Sequence, residues 1–132
     1  MEAQTKISNN PVVWFEIYVD DLMRARKFYE KVLGLAMDDM ADPMDSGVKM
    51  YSFPMAMDKP NASGALVKME GFEPGGNGTI VYFGCQDCST EESRVAGAGG
   101  KVAQSKTPIG PYGFISLCID TEGNTFGLHS LQ

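Results

Sequence analysis

Residues 12–22 read V-V-W-F-E-I-Y-V-D-D-L, and 66 positions later residues 78–88 read G-T-I-V-Y-F-G-C-Q-D-C. Each run continues into a segment that closes on glycine, at Gly34 and Gly100, and the offset is half of the 132-residue chain. Whatever unit the first copy forms, the second is expected to form again.

In the first copy Phe15, Ile17 and Val19 alternate with Trp14, Glu16 and Tyr18, the period of two that belongs to a strand with two different faces. Asp20 or Asp21 can then cap a helix running to Leu33, because a carboxylate there accepts from the orphan amides of the first turn. Leu22, Ala25, Phe28, Tyr29 and Val32 recur at helical spacing, with Arg24, Arg26, Lys27 and Lys31 opposite as a solvated face, and Gly34 suits a left-handed stop. Three shorter strand candidates follow at 35–39, 48–54 and 65–69, separated by turn-forming A-D-P-M-D-S-G and M-A-M-D-K-P-N-A-S-G. One module therefore reads βαβββ.

The stretch E-G-F-E-P-G-G-N-G is too rich in Gly and Pro for regular structure and divides the modules, which span about 10–69 and 78–130 with a linker at 70–77. In the second copy a strand is expected at 79–85, a helix at 88–98, a strand at 101–105 and a hairpin over 114–130. Ser89 with Glu92 offers an alternative helix start two residues later, as a capping box. T-E-G-N supplies the hairpin turn. The fold class is α+β: two tandem βαβββ modules forming a curled mixed sheet, with helices on one face and a cup on the other.

Composition limits the function. With 11 Lys+Arg against 17 Asp+Glu, the chain lacks the basic stripe that phosphate binding needs, so no nucleic acid is expected as a partner. No apolar run approaches the roughly 20 residues of a membrane helix, and the start M-E-A-Q-T-K-I-S-N-N lacks the apolar segment of a secretory signal, which points to a cytoplasmic protein without a membrane partner. The odd set Cys85, Cys88 and Cys118 fits reduced thiols.

The strand and V-D-D-L-x-x-A-x-x-F-Y-x-x-V-L-G at 19–34, A-G-A-G-G-K-V at 96–102 and D-T-E-G-N-x-F at 120–126 resemble the vicinal oxygen chelate superfamily. That superfamily includes glyoxalase I, bleomycin-resistance proteins and extradiol dioxygenases. The resemblance implies a glyoxalase-like cup, commonly completed in a homodimer. In metal-dependent members, His or Glu residues from the first and last strands of each module hold a divalent ion. Carried onto this chain, those ligand positions fall at Trp14, Ile80, Gly127 and Ala65, none of which binds a metal. No metal and no other cofactor is therefore expected.

His129, the single histidine, lies two residues beyond Gly127 and should share its cup-lining face. Trp14, Glu16, Tyr18, Ile80 and Tyr82 form the inward row of the two opening strands, an apolar and aromatic pocket with one carboxylate. Cys85-Gln86-Asp87-Cys88 is a C-x-x-C, but parity assigns Cys85 to the helix-facing core, favouring structural burial over redox chemistry. Met37, Met40, Met44, Met55 and Met57 suit either an adaptable pocket mouth or plain core filling.

Two functions of different class follow. One is a metal-free protein that binds a small organic molecule, with Trp14, Tyr18, Ile80, Tyr82 and Gly127 at the ligand. The other is a lyase or isomerase acting on a small carbonyl or diol substrate, with Glu16 and His129 as acid and base, or with a displaced metal site. A structural or regulatory partner domain is a third reading.

Overall fold

The computed structural model describes residues 10–42 and 47–132. Strand β1 (Val12–Tyr18) leads into helix α1 (Leu22–Leu33), followed by β2 (Asp38–Met40), β3 (Lys49–Ser52) and β4 (Ser63–Lys68). The second half repeats this order with β5 (Thr79–Gly84), α2 (Cys88–Val95), β6 (Lys101–Pro108), β7 (Phe114–Ile119) and β8 (Thr125–Ser130); a short 3-10 turn, Gly110–Tyr112, precedes β7. All eight strands form one mixed sheet in the order β2-β3-β4-β1-β5-β8-β7-β6. Each half closes on itself by a parallel pair, β1 with β4 and β5 with β8, and the halves join through antiparallel β1 and β5.

Local chemistry explains the element ends. Asp21 caps α1 by accepting from the Arg24 amide at 3.0 Å, and Gly34 ends it at φ 65°, in the left-handed region. Helix α2 is capped by Asp87, which accepts from both the amide and the hydroxyl of Ser89. The Ser89–Glu92 capping box does not form, because the Glu92 carboxylate instead accepts from the backbone amide of Lys106 at 2.6 Å. The helix stops at Val95 rather than reaching residue 98, since the amide of Gly100 turns back onto the carbonyl of Val95. Strand β6 continues to Pro108, beyond the expected 105, with two register shifts along β7. It is an edge strand, so its sequence carries no alternation to mark its length.

The helix side of the sheet carries two core clusters, one under each helix. Against α1 lie Met37, Phe53 and Leu66 with Phe15, Ile17, Leu22, Ala25 and Tyr29. Under α2 lie Cys88, Cys118 and Leu128 with Cys85, Val95 and Phe126. The apolar stripe of α1 is wider than the strip the sheet covers: Phe28 and Val32 stay 58% and 62% exposed. Nor is the basic side uniformly solvated. Arg26 donates to Glu30 and to the Met37 carbonyl and sits over the Tyr51 ring, tying the helix to β3.

The methionines divide in the same way. Met37 is core filling, Met40 packs against the cup, and Met55 and Met57 are exposed. Met44 lies outside the described residues. All three cysteines are free thiols, and Cys88 and Cys118 are fully buried. Burial, with Glu91 nearby, pushes the Cys85 thiol up to about 12, so it holds its proton at neutral pH and lacks the thiolate a redox motif requires.

Gly64 in β4 pairs with Phe15 in β1, and a methyl group there would run into the Phe15 carbonyl and ring. Gly64→Ala is expected to destabilise the fold by about 1–3 kcal/mol, the usual range for overpacking. Urea unfolding should show a lowered midpoint with an unchanged slope, and an unaltered midpoint would contradict this close approach.

Candidate functional site

The cup is lined by what the two opening strands direct away from the helices. Across the β1–β5 junction Trp14 faces Tyr82 and Glu16 faces Ile80, while Ala65 of β4 is the neighbour of Glu16 on the other side. Tyr18, Ala65, Val67, Ile80 and Tyr82 are buried together, with Trp14, Met50, Phe72, Ile115 and Leu117 packed against them.

Glu16 is the polar centre of this surface. Its Oε1 accepts from the Tyr18 hydroxyl at 2.7 Å and from the Tyr82 hydroxyl at 3.1 Å; its Oε2 accepts from the Trp14 indole N–H at 3.3 Å. Three ring donors from two strands thus converge on one carboxylate. Burial pushes the pKa of both phenols far above the usual tyrosine range, and the adjacent Glu16 charge adds to the effect. Both tyrosines therefore remain protonated donors.

Phe72 completes the wall. It comes from the Gly- and Pro-rich linker and stacks on Tyr18 with ring centroids 5.0 Å apart and planes 25° apart. The linker's C-terminal end is tied down. The Gly78 carbonyl accepts from the Tyr18 amide, and Asn77 bridges to Gly123 and Thr125 of the last hairpin. The one signal for Phe72 in the sequence is a lone aromatic in a segment otherwise fit only for turns.

The remaining two candidates behave differently. Gly127 pairs with Tyr82, and a side chain at 127 would overlap the Tyr82 ring, so that ring occupies the volume in front of β8. His129 pairs with Gly84, four positions further along β5 than Ile80, the partner of Glu16. Four residues of strand correspond to about 13 Å, and the two intervening strand spacings to about 10 Å. The Tyr82 level lies between them. His129 Nε2 is 2.6 Å from the Tyr112 carbonyl, which only accepts, so Nε2 carries the proton and Nδ1 is the free acceptor. Glu16 and His129 share a face but are not brought to one atom as an acid–base pair.

Comparison with known proteins agrees with this architecture. Residues 12–48 match the family described as bleomycin resistance protein-like N-terminal. The provisionally named glyoxylase CFP32 of Mycobacterium bovis and Mycobacterium tuberculosis is 30% identical over 117 residues, covering 87% of this chain and 43% of that protein. The chain thus spans less than half the length of the curated relatives it matches. The methylmalonyl-CoA epimerase of Mycobacterium tuberculosis superposes with a TM-score of 0.65 at 15% identity, covering 97% of this chain and 93% of that one. The Streptomyces coelicolor methylmalonyl-CoA epimerase, in complex with 2-nitronate-propionyl-CoA, gives 0.63 at 20% identity over 93% and 98%. At these identities the epimerases show a shared fold.

The sequence match to the bleomycin-resistance type is confined to residues 12–48, while the shared fold extends through nearly the whole chain.

Metal-dependent members of the superfamily need three or four donors at one point. Trp14, Ala65, Ile80 and Gly127 offer an indole donor, two apolar side chains and a glycine whose space is taken. Among the described residues no group of three or more His, Cys, Asp or Glu side chains converges on a point that would hold an ion. The residues present therefore do not fit a divalent metal in the cup.

Gly127→Ala is expected to force the Tyr82 ring aside and destabilise the protein by about 1–3 kcal/mol. In a double-mutant cycle with Tyr82→Ala the two losses should be strongly non-additive, because the second change empties the volume the first invades. Additive losses would show that the ring does not cover Gly127.

Proposed function

We propose that this domain of about 10–130 binds a small organic molecule in its aromatic cup without a bound metal. The observation that carries this reading is the Glu16 carboxylate, ringed by Trp14, Tyr18 and Tyr82 on a face where the metal-ligand positions lack donors. An apolar wall with a few fixed polar groups is the usual construction of a small-molecule site. Binding without chemistry suits the likeness to bleomycin-resistance proteins, and the proposed place of action is the cytoplasm. No helix of the described residues is long and apolar enough to cross a membrane.

A second reading is an isomerase or lyase of the same superfamily, acting on a small carbonyl or diol compound, with Glu16 as the single base. The epimerase neighbours favour it. His129 would then serve ligand contact through Nδ1 rather than proton transfer at the same carbon.

Protein purified without chelator is expected to carry Ni, Zn, Mn and Fe far below one ion per chain. It should not turn over the hemithioacetal of glutathione and methylglyoxal, with or without added metal. In a thermal-shift screen a ligand at 100 times its Kd should stabilise the fold by about 2.7 kcal/mol. A stoichiometric metal needed for activity would overturn the metal-free reading. A hit that is converted by the protein and spared by Glu16→Gln would favour the isomerase reading.

The sheet ends on β2 and β6, whose outer edges are unpaired among the described residues, and open edges are commonly covered by a second chain. We expect a homodimer. Elution as a monomer at micromolar concentration would contradict it.

A further inference from the structure

Among the described residues, every group that reaches Glu16 in the cup is neutral. Glu16 accepts from two phenols and an indole, while the ion pairs Arg26–Glu30 and Lys106–Asp87 lie on the helix side of the sheet. A partly buried anion that lacks a cationic partner is poorly compensated, since neutral donors replace only part of the hydration it loses.

The accounting of lone pairs shows where compensation fits. An ionised carboxylate offers about four acceptor sites. Oε1 takes the Tyr18 and Tyr82 hydroxyls at 2.7 and 3.1 Å, which fills it; among the described residues Oε2 takes only the Trp14 N–H, at 3.3 Å. One acceptor position on Oε2 therefore remains for a donor that enters the cup.

The walls select the charge of that donor. Trp14, Tyr18 and Tyr82 surround the carboxylate, with Phe72 stacked on Tyr18, and aromatic faces attract cations through their quadrupoles. Tyr18 and Tyr82 point their hydroxyls at Glu16, so they present no further donor to an anionic ligand. The formal charge of −6 adds a long-range attraction of the same sign.

On the reading of the cup as a small-molecule site, we propose that its ligand is an organic cation. An N–H-bearing ammonium, amidinium or guanidinium group on a flat apolar body would donate to Glu16 Oε2 and lay its body against the half-buried Trp14.

Trp14 is the only tryptophan in the chain, so its indole N–H gives a single, self-assigned amide-region NMR signal at the site itself. The test titrates three probes of equal shape, benzamidine, benzamide and benzoate, into the full chain, following this signal and the heat of binding. Benzamidine should move the Trp14 signal with a Kd at least about tenfold below that of benzamide, as a hydrogen bond to a charged group implies. Benzoate should leave it in place. Glu16→Gln should bring benzamidine to the level of benzamide. If Glu16→Gln does not fold, the ratio of benzamidine to benzamide in the natural protein decides alone. Benzamide or benzoate binding as tightly as benzamidine would overturn the cation proposal and leave the small-molecule site standing. A Trp14 signal unmoved by all three probes up to their solubility limits would overturn both.

Discussion

The antiparallel pairing of β1 with β5 is the constraint on which the rest of the molecule depends. Each βαβββ half covers one side of its strands with its own helix, but neither half by itself has a cup. The register that sets Trp14 against Tyr82 and Glu16 against Ile80 makes one concave surface of two sheet halves. It also decides who reaches Glu16. Tyr18 arrives from the same strand, two residues away, and Tyr82 arrives from 66 residues away in the chain. A slip of one residue in this pairing would turn every side chain of one half to the other face and break the cluster.

The cup and the helix side use the alternation of β1 for opposite ends. Phe15 and Ile17 pack with α1 as an ordinary core, while Trp14, Glu16 and Tyr18 support a polar network that fixes their rings. Buried hydrogen-bonded networks of this type specify side-chain positions more sharply than apolar contact does. The three donors hold Glu16 in one orientation, which under the proposed function removes part of the ordering cost of binding.

Much of this was legible in the chain because it is periodic or repeated. The two-residue alternation of β1, the helical spacing from Leu22 to Val32 and the cap residues Asp21 and Gly34 all act locally, so they can be read locally. The inward row of Trp14, Glu16, Tyr18, Ile80 and Tyr82 follows from parity alone. What escaped the reading depends on distant geometry. Phe72 reaches the cup from a linker whose end Asn77 anchors to a hairpin 46 residues further along. The direction of His129 is set by a carbonyl in the turn before β7. The exposure of Phe28 and Val32 reflects how much of a helix the sheet covers, which the width of an apolar stripe does not report. The Glu92 side chain had two acceptable partners, and the nearby amide of the edge strand won.

The contact of Gly127 with Tyr82 bears on how such a cup can change over time. A carboxylate at position 127, one of the four positions where metal-dependent relatives would carry ligands, meets an aromatic ring before it could meet an ion. Shrinking residue 82 first would remove a hydroxyl that steadies Glu16. Each step is disfavoured until the other has been taken, so the two positions form an epistatic lock.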